Sequence, residues 1–134
     1  MQYNGGMYSH QLNKFIMLFS ISSGTLKNIE SARISIPSQL IYKNNQYYWR
    51  TNLMLSEQYW KGWFTNLSTT FLSVKVPKLL LLAGTDRLDK DLTIAQMQGK
   101  FQLVVLPAVG HTLQEDDPQK TAQSLLQFQQ RFRL

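Results

Sequence analysis

Between Pro77 and Gly84 the chain reads Lys78-Leu79-Leu80-Leu81-Leu82-Ala83, a continuous apolar run bounded by two residues that interrupt regular structure. With no alternation of polar and apolar positions, the run reads as a strand buried on both faces, and such strands belong to parallel sheets. Parallel strands need a crossover connection, and the next residues supply one. Thr85 to Lys90 turn the chain. Asp91 to Gln98, with Asp91 as the cap and Leu92, Ile94, Ala95 and Met97 inside, predict a short helix that Gly99 ends. Phe101 to Leu106 predicts a second buried strand and Pro107 to Asp117 a loop. Pro118 then opens an amphipathic helix through Ala122, Leu125, Leu126, Phe128 and Phe132. Strand, helix, strand, helix is the order of an α/β sheet.

The residues before Pro77 are less regular. Met1 to His10 is rich in Tyr, Asn and Gly without a sustained period and reads as loosely ordered. Residues 25 to 36 space Leu26, Ile29, Ala32 and Ile34 as in a short helix ended by Pro37. Lys43 to Gln46 form a polar turn before the extended Tyr47-Tyr48-Trp49. From Ser56, a candidate cap, Trp60, Trp63, Phe64, Leu67 and Phe71 recur at three- and four-residue steps, which predicts a helix with one aromatic face. Aromatic residues at that spacing are ordinarily core; they can also wall an apolar pocket or cover a site. Gly62 weakens this helix and marks a candidate close approach.

With 134 residues, 43% of them hydrophobic, the chain can bury one core of ordinary size. It contains no Cys, which excludes a disulfide framework and a thiolate nucleophile and fits a cytoplasmic or nuclear location. The run Phe15 to Phe19 with Ile21 is far below the roughly 20 residues of a membrane span, and its flanks match a signal peptide poorly. The net charge of +6 arises in residues 1 to 78, where eight Lys and Arg face only Glu30 and Glu57. These bases stand singly, with no nucleic-acid motif among them, so they read as a solvated basic surface rather than a nucleic-acid site. His10 and His111 lack metal-ligand spacing, and no glycine-rich phosphate loop or dinucleotide fingerprint is present, so no metal and no cofactor is expected.

Open parallel sheets carry their chemistry in loops at the carboxyl ends of strands. Two loops qualify: Gly84 to Asp91, with Asp86, and Pro107 to His111. Carboxylate and imidazole on successive loops are the last two members of an α/β-hydrolase triad, in the order Ser, Asp or Glu, His. The G-x-S-x-G elbow that carries the serine is missing, since no two of the seven glycines stand four residues apart. A histidine without its serine cannot turn over an ester, so the chain by itself is expected to be inactive. On pattern alone His111 is more ordinarily a structural histidine. Gly110 would give the backbone freedom to swing it out, and Leu106-Pro107 fixes the end of the strand. Glu115, Asp116 and Asp117 read as favourable charge and a cap at the start of the last helix. Asp86 reads either as a triad acid or as part of a salt-linked turn with Arg87, Asp89, Lys90 and Asp91.

Pro77 to Gln102 closely resembles the protein phosphatase methylesterases, which are α/β-hydrolases, and so do Tyr59-Trp60-Lys61-Gly62-Trp63-Phe64 and, less tightly, Ser23-Gly24 with Asn28 to Arg33. The resemblance runs from roughly residue 23 to 128. It implies a partial α/β-hydrolase fold: the last two parallel strands with flanking helices, plus a cap-like helical segment. Residues 23 to 134 would be the C-terminal portion of the domain, and residues 1 to 22 an unmatched, loosely ordered start. It implies serine esterase activity, the removal of the methyl ester from the C-terminal leucine of the protein phosphatase 2A catalytic subunit, which would be the partner. His111 would be the catalytic histidine. The family's serine and triad aspartate lie upstream of the matched region, which leaves Asp86 shaping the loop. Trp60, Trp63 and Phe64 would wall the substrate channel. Family members commonly carry a long acidic insertion before the aromatic segment, where this chain has only Gln39 to Gln46. A noncatalytic phosphatase-binding fragment, or a pseudoenzyme, is the alternative.

Overall fold

The computed structural model describes residues 10–17, 26–84 and 88–133. Residues 10–17 are helical. They are followed by helix α1 (Ile29–Ser38), strands β1 (Leu40–Lys43) and β2 (Gln46–Trp49), a 3-10 segment (Leu53–Tyr59), and helices α2 (Trp60–Trp63) and α3 (Leu67–Ser73). Strand β3 (Leu79–Leu82), α4 (Lys90–Met97), β4 (Gln102–Val105), α5 (Leu113–Asp116) and α6 (Pro118–Phe132) complete the order. The chain divides into two units, Met1–Asn52 with Val109–Pro118, and Leu53–Ala108 with Gln119–Leu134.

The core of the first unit is Ile16, Leu26, Ala32, Ile36 and Leu40, with Leu12, Phe15 and Tyr47 packed around it. Part of the start read as irregular is thus a helix, and its Ile16, only 2% exposed, is one of the best-buried side chains. Fully burying such a side chain stabilises by about 1.5–3 kcal/mol. Asn28 begins α1 by accepting the N–H groups of Glu30 and Ser31 at 3.0 and 3.2 Å. Ala32 and Ile36, four apart, face the core, while Ile34 points outward. Pro37 does not end α1 as expected. The helix continues to Ser38, because the N–H that proline lacks is lost only one residue before the helix stops anyway.

β1 and β2 are antiparallel, with Leu40 opposite Trp49 and Lys43 opposite Gln46. Asn44 and Asn45 join them at φ 51° and 60°, the two left-handed residues that a two-residue hairpin turn requires. The polar turn is therefore borne out, and the strand before it was not legible. Edge-to-face contact between Phe15 and Trp49, with ring centroids 5.6 Å apart, ties the hairpin to residues 10–17.

In the second unit β3 and β4 are parallel, in register from Leu79 opposite Gln102 to Leu82 opposite Val105. The bond from the Leu106 N–H to the Leu82 carbonyl, 2.8 Å, closes the ladder. The parallel pair and its crossover helix match the sequence reading; the burial does not. Leu79–Leu82 are half-buried and Val105 is exposed, because the sheet has two strands among the described residues and neither face is fully covered. The cap of α4 is Asp89 rather than Asp91: its side chain accepts the Leu92 N–H at 2.8 Å. Gly99 ends α4 as expected, at φ +69°. Its N–H reaches the Gln96 carbonyl and the Lys100 N–H that of Ala95, both at 3.0 Å, a Schellman closure.

The single helix expected from Ser56 is instead three pieces. Asn66 takes a left-handed φ of 59° and breaks the path between α2 and α3. Ser56 donates to the Leu53 carbonyl within the 3-10 segment and does not cap α2. Gly62 has no atom within 4 Å of where a Cβ would stand, so it marks no close approach. Along α6 the buried residues are Thr121 and Ser124, whereas Leu125 and Leu126 are exposed. Ser124 satisfies its hydroxyl on the Lys120 carbonyl at 2.8 Å, which permits its burial.

Candidate active site

After Leu106 closes the β3–β4 ladder, Pro107 has no N–H to extend it. The chain then turns at Ala108, which takes a left-handed φ of 67°. The conformational freedom expected at Gly110 is exercised here instead, since among the described residues the glycine at positive φ is Gly99. Val109 and Gly110 are buried, and His111 emerges exposed. His111 is thus an exposed residue of the loop that follows β4 in the chain. Among the described residues no group hydrogen-bonds its imidazole. Asp86 lies outside the described residues.

The loop that carries His111 is fastened by Asp116, a residue the sequence reading assigned only to helix-end charge. One carboxylate oxygen, Oδ1, accepts the N–H groups of Lys27 and Asn28 at 2.6 and 2.7 Å. The other, Oδ2, accepts the Gly110 N–H. The Asp116 N–H donates to the Thr112 carbonyl at 3.0 Å, alongside the Glu115 N–H at 2.9 Å. Ser31 Oγ donates to the Glu115 carbonyl at 2.7 Å, a second tie between α1 and α5. No local sequence signal marks these bonds, since Lys27 and Asp116 are 89 positions apart. One Glu115 carboxylate oxygen, Oε2, is buried with no hydrogen-bond partner among the described residues.

Trp60, Trp63 and Phe64 belong to the second unit, where they are 39%, 54% and 74% exposed. The ordinary expectation that this aromatic face is core does not hold for these three. Trp60 and Trp63 lie with ring centroids 6.5 Å apart, and the Trp60 indole N–H donates to Ser56 Oγ at 2.9 Å. Phe71, further along, does pack inward, edge-on to Phe101 at 5.4 Å. An open hollow of about 490 Å³ lies beside α3 and α4, lined by Thr69, Leu72, Ser73, Asp91, Ile94 and Lys100 among others. The Ser73 hydroxyl on its rim donates to the Thr70 carbonyl at 2.8 Å. Among the described residues no three His, Asp or Glu side chains cluster as metal ligands, and no helix is long and apolar enough to cross a membrane.

The chain is 56% identical over 115 residues to a probable protein phosphatase methylesterase 1 of Caenorhabditis elegans, covering 85% of this chain and 32% of that protein. It is 54% identical over 115 residues to the protein phosphatase methylesterase 1 of Yarrowia lipolytica, covering 84% and 27%. To the protein of the same name from Bos taurus it is 40% identical over 158 residues, covering 86% and 42%. That alignment exceeds this chain's own 134 residues, so the bovine relative carries additional residues within the matched span. The chain spans about a third of the length of the curated relatives it matches. The resemblance to methylesterases is thereby confirmed, and the parallel strand pair with its helices agrees with a partial α/β fold. A family model described as the alpha/beta hydrolase family matches residues 11–124, and the chain belongs to that family.

Proposed function

We propose that this chain is the histidine-bearing portion of a protein phosphatase methylesterase, acting on the C-terminal leucine methyl ester of the protein phosphatase 2A catalytic subunit. The observation that carries the reading is the exposure of His111 in the loop that follows β4 along the chain, in a chain 56% identical to a protein named for that activity. The nucleophilic serine and the orienting acid come from residues outside this sequence, which has no G-x-S-x-G. The serine hydroxyl attacks the ester carbonyl while His111 takes its proton. The tetrahedral adduct collapses, and His111 returns that proton to the departing methoxide, which leaves as methanol. Water then adds to the acyl-serine with His111 again taking a proton, and collapse frees the carboxylate and the serine hydroxyl. Trp60, Trp63 and Phe64 wall the channel that admits the peptide. The absence of Cys fits work in the cytoplasm or nucleus.

The test is a graft in which this chain replaces the matched segment of the nematode relative. The graft should release methanol from a methylated leucine peptide, and His111→Ala should lower kcat by about 10⁴-fold or more. The isolated chain should release none. A folded, active graft that keeps its rate with His111→Ala would overturn the assignment.

The exposure of Trp60, Trp63 and Phe64 favours a second reading, a noncatalytic fragment that docks on the phosphatase through its aromatic residues. Capture of the purified phosphatase catalytic subunit by the full chain, lost with Trp60→Ala/Trp63→Ala, is the result expected of it. Equal capture by both forms would reject it.

A further inference from the structure

Asp116 touches the backbone on both sides of His111. Its Oδ2 accepts the N–H of Gly110, the residue before the histidine, and its own N–H donates to the carbonyl of Thr112, the residue after it. Its remaining oxygen, Oδ1, is spent on the Lys27 and Asn28 N–H groups, where the chain enters α1. Lys27 and Asn28 need such an acceptor because N–H groups at a helix start have no carbonyl four residues back. Beyond the last ladder bond at Leu106 the backbone has left the sheet, and these contacts help to place it.

From this we infer that Asp116 is the positioning residue of His111, fixing a backbone group of the residue on either side of it and referring both to the start of α1. The inference rests on the reading of His111 as the proton carrier. A carboxylate suits the task because its two oxygens supply four acceptor sites and here receive three donors. An asparagine of the same shape has one oxygen and would turn an NH₂ group toward N–H donors. A histidine that must meet a hydroxyl, a departing methoxide and then a water within a few tenths of an ångström gains from a neighbour that holds its backbone on both sides. Asp116 does this without touching the imidazole.

Nuclear magnetic resonance on the full 134-residue chain tests the inference without requiring turnover. In the wild type, scalar couplings across hydrogen bonds should link the amide nitrogens of Lys27, Asn28 and Gly110 to the Asp116 carboxyl carbon, and His111 should be as ordered as α1. Absence of these couplings overturns the proposal whatever any variant does. In Asp116→Asn the Gly110 amide should exchange roughly 10- to 100-fold faster, as loss of a charge-assisted bond dictates. The backbone order parameter of His111 should fall below about 0.6, while signals of Ala32 and Ile36 stay in place. Asp116→Glu should restore part of that order by returning two acceptor oxygens; Asp117→Asn should change neither readout. An unaltered His111 in Asp116→Asn would also overturn the proposal and leave the methylesterase reading standing. An inactive wild-type graft would reject that reading and leave the anchor intact.

Discussion

Ser68 donates its hydroxyl to one carboxylate oxygen of Asp89, whose other oxygen accepts the Leu92 N–H at the start of α4. A single carboxylate therefore caps one helix and fastens a second, α3, to it. The Leu92 N–H, and after it the Ser68 hydroxyl, hold the Asp89 carboxyl below its ordinary range. A carboxyl depressed in the folded state stabilises it above the unfolded pKa and loses that contribution as pH falls through the folded one. Asp89→Ala should therefore unfold more readily than wild type at pH 7 and at pH 5, and the two should converge as pH drops below the usual carboxylate range. Ser68→Ala should narrow the difference without abolishing it. Thermal unfolding followed from pH 7 to pH 2 checks this, and a gap that persists unchanged at pH 2 would contradict the assignment.

The core of the first unit makes a second prediction. Ile36 is 2% exposed among Ile16, Leu26, Ala32 and Leu40, and Ile34, on the same helix, is 81% exposed. Ile36→Ala removes buried methyl groups and leaves a void, at a cost of about 2–5 kcal/mol. Ile34→Ala should change stability by no more than about 0.5 kcal/mol. Urea unfolding of the two variants separates them; equal midpoints would mean that this helix face is not the core.

The elements that sequence made legible are those whose signal is local. Four leucines between Pro77 and Gly84 announced β3, and Gly99 announced the end of α4, because an unbroken apolar run between two interrupting residues and a left-handed backbone are each marked by residue type alone. The elements that stayed hidden depend on distant partners. Ile16 is core only because α1 and the hairpin fold over it, and Asp116 is an anchor only because Lys27 and Asn28 come to it. The aromatic spacing from Trp60 to Phe71 suggested one continuous helix, but periodicity is blind to a single left-handed residue, and Asn66 breaks the path there. The candidate histidine was legible in place and not in role: the strand's end located it, while the methylesterase resemblance proposed what it does.

The hairpin turn tests a backbone argument. Asn44 and Asn45 both hold positive φ, which asparagine tolerates better than other side-chain-bearing residues and glycine accepts without steric cost. Asn45→Gly should leave stability unchanged or raise it by up to about 1 kcal/mol, since Asn-Gly is the favoured pair for this turn. Asn44→Val, with a β-branched side chain forced into the left-handed region, should cost at least about 1 kcal/mol. Amide exchange at Ile41 and Tyr48, which lie opposite each other two steps along the ladder from the Arg50 N–H to Gln39 carbonyl bond and so form a hydrogen-bonded pair, would report both effects.

Gly62 and Gly99 predict opposite signs for one substitution. Apart from the adjoining backbone, neither has an atom within 4 Å of where a Cβ would stand, so a methyl group meets no obstacle at either, and the difference between them is the backbone alone. Gly99 sits at φ +69° in the Schellman closure of α4, where an L side chain opposes its own carbonyl; Gly99→Ala should destabilise by about 1 kcal/mol. Gly99→Asn should cost less, because asparagine visits that region more readily. Gly62 lies inside α2 without a positive φ, so Gly62→Ala removes unfolded-state freedom at no steric cost and should stabilise by about 0.5–1 kcal/mol. Denaturant midpoints for the two alanine variants, measured side by side, check the pair. A shift in the same direction would mean that packing, and not the sign of φ, decides the outcome at these positions.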